Sequence, residues 1–83
     1  MKILIADDEK TLVEMLREIL RQNKIDCDVA NDGQEAVYFA KESIYDVIVL
    51  DVMMPKMNGY EALEEIRRNK INTPVLKIGR AHV

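Results

Sequence analysis

Eighty-three residues, 48% hydrophobic and 33% charged, suit one small folded domain and are too apolar for a disordered segment. A formal net charge of −3 leaves no basic stripe to displace counterions, so direct nucleic-acid binding is not expected. No apolar run nears the ~18–20 residues of a membrane span, Asp7, Asp8 and Glu9 break any signal-peptide pattern, and the single Cys27 excludes an internal disulfide or a cysteine zinc cage. A cytoplasmic location without membrane attachment is the expectation.

Ile3-Leu4-Ile5-Ala6 is apolar at consecutive positions, the pattern of a strand covered on both faces. Leu12, Val13, Leu16, Ile19 and Leu20 then recur at helical spacing, with Glu14, Arg17, Glu18 and Arg21 on the other side. Glu9 reads as a first-turn acid favouring this helix, and Asn23 as its left-handed close. Ile25, Cys27 and Val29 alternate with Asp26 and Asp28, which predicts an edge strand with one wet face and Cys27 as a small buried hydrophobe. Asp32-Gly33-Gln34-Glu35 reads as a capping box opening a helix through Ala36, Val37 and Ala40. Val47-Ile48-Val49-Leu50 is a second continuous apolar strand. Asn58-Gly59-Tyr60-Glu61 repeats the capping logic before Ala62, Leu63 and Ile66, and Arg67, Arg68 and Lys70 suit the end of that third helix. Thr73-Pro74 punctuates, and Val75-Leu76-Lys77-Ile78 is the fourth strand.

This βαβαβαβ order places the two continuous apolar strands centrally and the second strand at an edge, giving a parallel, doubly wound sheet of order 2-1-3-4. Right-handed crossovers put the first helix on one face and the other two on the opposite face. Ligands of such sheets bind at the carboxyl ends of the strands, where crossovers diverge, here between strands 1 and 3. Asp7 and Asp8 end strand 1, and Asp51 ends strand 3. Each alone suits a solvated strand-end acid. Three at one crevice point instead to a divalent cation that relieves their repulsion, and hard oxygen donors favour Mg²⁺. A backbone carbonyl just after Asp51 would complete the protein's share.

With these residues in view, Ile3 to Glu9 and the run Val47-Ile48-Val49-Leu50-Asp51-Val52-Met53-Met54-Pro55-Lys56-Met57-Asn58-Gly59 resemble the receiver domain of two-component response regulators. The likeness covers residues 1–76. It implies a flavodoxin-like fold and a cytoplasmic phosphoacceptor module rather than an enzyme. A sensor histidine kinase would donate its phosphoryl group to Asp51, with Mg²⁺ held by Asp7, Asp8, Asp51 and the Met53 carbonyl. A carboxylate attacking phosphorus needs its charge offset, which agrees with these roles.

The chain also departs from the family. Gly79 stands where a Ser or Thr is expected, and the last helix-strand-helix portion, with its phosphate-binding Lys, is missing. Residues 77–83 do not resemble the family and read as a junction, a frameshift or a truncation; the rival reading is a divergent fourth strand with Lys77 on an uncovered face. His82 reads as a solvated tail residue. Lys56 could attract a phosphate or be an ordinary loop lysine, and among Met53, Met54 and Met57 at least one is expected to pack. The bare sheet predicts a homodimer, by face covering or element exchange, and weakened phosphotransfer. Competing functions are an inert self-associating fragment, an aspartate-nucleophile phosphatase, for which Met53 replaces the general acid, and a flavin or nucleotide binder, which Asp7-Asp8-Glu9 would repel.

Overall fold

The structure, a computed structural model, describes residues 1–79. Seven elements alternate: β1 (Lys2–Ala6), α1 (Lys10–Gln22), β2 (Asp26–Ala30), α2 (Gly33–Ala40), β3 (Val47–Asp51), α3 (Gly59–Arg68) and β4 (Val75–Ile78). The strands pair in parallel in the order β2-β1-β3-β4, as their apolar patterns predict. The expectation for His82 and the end of the tail falls on residues 80–83, outside the described residues.

Parallel register aligns side chains on a common face. Leu4 lies beside Ile48 and Ala6 beside Leu50, and all four are fully buried under α2 and α3. Ala36, Ala40 and Ala62 face them from the helices, so these helices approach the sheet closely, and Ile66 fills the space between. The opposite face is thinner. There α1 packs chiefly against β2 and buries Val13 and Ile5. One row crosses this face through Val29, Ile5, Val49 and Leu76. Its exposure rises from 2% at Ile5 to 58% at Leu76. Among the described residues, no helix covers the β3–β4 half of this face.

Several local expectations need correction. Lys24, not Asn23, takes the left-handed conformation after α1, with φ 58° against −97° for Asn23. The Asn23 side chain still caps by donating to the Ile19 carbonyl at 2.8 Å. Glu9 is the N-cap position rather than a first-turn residue. The box at Asp32 is half formed. Asp32 accepts from the Glu35 N–H at 2.8 Å, but the Glu35 carboxylate accepts from the Asn31 N–H, one residue earlier than a capping box requires. At α3 both bonds form, with Asn58 accepting from Glu61 at 2.9 Å and Glu61 from Asn58 at 3.0 Å.

The wet face of β2 is only partly wet. Asp28 accepts from the buried Tyr45 hydroxyl at 2.7 Å and lies 3.4 Å from Lys2 Nζ. These donors, Tyr45 foremost, hold its carboxyl below the ordinary range, while burial and then Asp28 push the Tyr45 hydroxyl up. Cys27 is half-buried, and its thiol is raised chiefly by desolvation. Lys77 is not on the bare face. It registers with Leu50, and its ammonium stands 5.0 Å over the Tyr60 ring on the α3 side. The period-2 pleat therefore turns Leu76 outward, onto the face that α1 leaves open.

Candidate functional site

Asp51 is the last residue of β3, and Asp7 and Asp8 follow β1 directly. Because β1 and β3 are neighbours in register, the ends of these strands bring the carboxylates together, with one oxygen of each within 4.8 Å of the others. Asp7 and Asp51 are both 3% exposed, whereas Asp8 is open to solvent. Burial on this scale excludes the reading of Asp7 and Asp51 as solvated loop acids.

Each buried acid is anchored by one oxygen. Asp7 Oδ1 accepts from the Glu9 N–H at 2.9 Å, and Asp51 Oδ1 accepts from the Met53 N–H at 3.0 Å. These short side-chain-to-backbone turns fix the carboxylate planes. The second oxygen of Asp51 is buried without a hydrogen-bond partner. An unpartnered buried carboxylate oxygen beside two further acids is an unfavourable arrangement in a chain on its own. The Asp7 carboxyl is pushed above its ordinary value by its own burial first and by Asp51 and Asp8 after it, against the Glu9 N–H, which lowers it. A hard divalent cation fits this donor set, because it offers partners to all three carboxylates and removes their repulsion.

The loop behind Asp51 is held by close packing. Gly59 donates to the Val52 carbonyl at 3.3 Å, and a Cβ there would overlap the Asp51 carbonyl oxygen and the backbone of Val52. Gly33 abuts the Met57 carbonyl in the same way, so α2 begins against the loop. Lys56 has φ 66° and sits at the centre of a turn closed by a 2.7 Å bond from the Met57 N–H to the Pro55 carbonyl. Its ammonium lies 3.6 Å from the nearly buried Asp32 carboxylate. Lys56 therefore faces the α2 cap. Met54 and Met57 pack on the core, while Met53 is 52% exposed.

A small cleft of about 90 Å³ opens on the acids, lined by Asp7, Glu9, Leu12, Asp51, Ile78 and Gly79. Gly79 thus reaches the cleft but brings no side chain. Two larger grooves, about 370 and 440 Å³, run between α1 and β2, where Arg17 and Arg21 pair with Glu14 and Glu18. They lack the convergent buried acids of the smaller cleft. The acid trio is legible from sequence through strand ends and topology. The contribution of Gly33, Asp32 and Lys56 to the loop is not, because it depends on a long-range approach of α2 that only the glycine at position 33 hints at.

The chain matches the response regulator receiver domain family over residues 3–82. It is 44% identical over 77 residues to the transcriptional regulatory protein CpxR homolog of Haemophilus influenzae, covering 93% of this chain and 33% of that protein. Among solved structures, the receiver domain of Francisella response regulator 1452 aligns with TM-score 0.90 and 39% identity, over 99% of this chain and 68% of that one. The response regulator TrrA of Thermotoga maritima, solved in complex with Mg(2+)-BeF, aligns with TM-score 0.85 and 33% identity over 94% of this chain and 68% of its own. The chain spans about a third of the length of the curated relatives it matches. Sequence and fold agree, and the chain belongs to the response regulator receiver domain family of two-component signalling.

Proposed function

We propose that this chain is a cytoplasmic phosphoacceptor module in which Asp51 takes a phosphoryl group from a phosphohistidine of a sensor histidine kinase. The observation that carries this reading is the buried, unpartnered Oδ2 of Asp51, in a trio with Asp7 and Asp8. In the transfer, an Asp51 oxygen forms a bond to phosphorus as the phosphorus–nitrogen bond breaks. The imidazole leaves with a proton, and Asp51 becomes an acyl phosphate. Mg²⁺ would be held by Asp7, Asp8, Asp51 and the Met53 carbonyl, supplying positive charge against the carboxylate and the phosphoryl oxygens. Asp7 Oδ1 and Asp51 Oδ1 would keep their backbone anchors, which would leave the second oxygens for the cation.

Transfer should be weak. Gly79 offers no hydroxyl to a phosphoryl oxygen, and Lys77, the cation of β4, lies on the other face over Tyr60. The same reading includes self-association of the 83-residue chain through its uncovered sheet face or by element exchange. Intact-mass measurement after acetyl phosphate and Mg²⁺ tests the chemistry: a small, short-lived phosphoryl adduct that vanishes in Asp51→Asn is expected. Efficient, long-lived modification would show that a hydroxyl and a lysine are dispensable, and an adduct persisting in Asp51→Asn would overturn the assignment of Asp51. Gly79 favours one second reading, an inert self-associating fragment. Calorimetric titration separates the two, because an inert fragment binds no Mg²⁺ at millimolar concentration.

A further inference from the structure

We propose that the ion pair between Lys56 and Asp32 is a latch that seats the loop between β3 and α3 on the start of α2, and so positions Met53 for the acid site. Lys56 is thus a positioning residue that acts through Met53. Its consequence for Mg²⁺ rests on the phosphoacceptor reading, whereas the latch itself needs no metal. The first observation is where the loop is held. Its base is closed by the Gly59 N–H on the Val52 carbonyl at 3.3 Å, and the Val52 N–H bonds the Ile78 carbonyl of β4 at 2.9 Å. One limb begins with Met53, whose N–H anchors Asp51 Oδ1. The other limb holds the turn at 55–57, which lies against α2.

The second observation is the backbone at Lys56. Among the described residues, Lys24, Ser43, Lys56 and Lys70 have positive φ, and no glycine does. Lys24, Ser43 and Lys70 follow the ends of α1, α2 and α3, where the N–H of each bonds back to the helix. Lys56 follows no helix. Its φ of 66° is the centre of a three-residue turn, with the Met57 N–H on the Pro55 carbonyl at 2.7 Å. A side chain disfavours that conformation, and such a turn is the strained form of its class. It persists only where surrounding contacts over-determine it.

Two contacts do so, and both come from the start of α2. Gly33 has no side chain, and a Cβ there would overlap the Met57 carbonyl. Asp32 divides its carboxylate. Oδ1 accepts from the Glu35 N–H at 2.8 Å and caps α2, while Oδ2 lies 3.6 Å from Lys56 Nζ. The Asp32 side chain is only 10% exposed, so removing the ammonium leaves a nearly buried charge unpaired. The pair therefore holds the turn more firmly than an exposed ion pair would. Met54, next to Met53, and Met57, next to Lys56, pack on one buried cluster, so the two limbs shift together.

By charge alone the two residues act on a nearby cation in opposite directions. Removing the Lys56 ammonium favours the cation, and removing the Asp32 carboxylate disfavours it. A latch gives the same sign for both, because either loss frees the turn and lets Met53 move. It also gives no added loss when both are removed, since one pair is broken only once. Arginine in place of Lys56 keeps the pair.

Two measurements on the 83-residue chain test this: Met53 amide hydrogen exchange, followed by NMR without metal, and Mg²⁺ affinity by calorimetry. Lys56→Gln and Asp32→Asn, the latter keeping an Oδ1 for the Glu35 N–H, should each speed Met53 exchange. Each should also weaken Mg²⁺ binding about tenfold, as when a group that orients a metal ligand is lost. The double variant should match the singles, and Lys56→Arg the parent chain. Tighter Mg²⁺ binding in Lys56→Gln with weaker binding in Asp32→Asn would overturn the latch in favour of plain charge. Additive losses, or Met53 exchange unchanged in both, would overturn it too. A parent chain that binds no Mg²⁺ refutes the phosphoacceptor reading instead, and Met53 exchange then decides the latch alone. Should Asp32→Asn unfold, the contrast between Lys56→Gln and Lys56→Arg decides.

Discussion

Replacing Asp7 by Asn should stabilise the chain in the absence of metal and abolish its stabilisation by Mg²⁺. The Asn side chain keeps the Oδ1 that accepts from the Glu9 N–H and removes one negative charge from a trio whose oxygens lie within 4.8 Å of one another. Two unit charges at that separation repel by about 1 kcal/mol in water and about 3 kcal/mol at an effective dielectric constant near 20, so a gain of ~1–3 kcal/mol is expected. The new amide N–H₂ can also donate toward the unpartnered Asp51 Oδ2, which adds to the gain. For a domain of this size, 1 kcal/mol moves the melting temperature by about 4–8 °C. Thermal melts followed by circular dichroism, in EDTA and in millimolar Mg²⁺ at pH 7 and one fixed chain concentration, read both effects. The fixed concentration matters because self-association shifts melting by mass action. A lower melting temperature for Asp7→Asn in EDTA, with the Mg²⁺ effect intact, would refute the view that repulsion among these carboxylates is what the cation relieves.

The same cluster sets a pH dependence. The Asp7 carboxyl is raised in the folded chain, by burial first and by Asp51 and Asp8 after it, so the folded state holds this proton more tightly than the unfolded state. Metal-free stability should therefore rise as pH falls from 7 through the raised folded value, and the gain is complete only below the unfolded value near 3.8. Saturating Mg²⁺ or Asp7→Asn should remove that rise in melts collected against pH. Gly59→Ala pushes a methyl group into the Asp51 carbonyl and Val52 backbone; a loss of ~1–3 kcal/mol and weaker Mg²⁺ binding by calorimetry are expected. Tyr45→Phe deletes the 2.7 Å bond to Asp28 and should cost about 1 kcal/mol in urea denaturation, leaving Mg²⁺ affinity unchanged.

The sequence by itself determined the alternation of elements, the strand order and the residues of the acid trio. Those properties are carried by periodicity and by local chemistry. Continuous apolar runs at Ile3-Leu4-Ile5-Ala6 and Val47-Ile48-Val49-Leu50 require cover on both faces and so a central place. The Asn58–Glu61 box is complete within four residues, and an acid at a strand end stays at that end in any parallel sheet. Tertiary structure decided what depends on distance across the chain. Asp32 and Lys56 pair because α2 begins against the loop after β3, an approach that Gly33 permits and no local pattern announces. Lys77 turned toward Tyr60 and Leu76 toward the open face because the register with β3, and not the alternation of β4, assigns the faces. Above all, a carboxylate is the same group in any sequence. Only folding removed water from Asp7 and Asp51 and left one Asp51 oxygen without a partner, and that desolvation is what makes the repulsion within the trio costly.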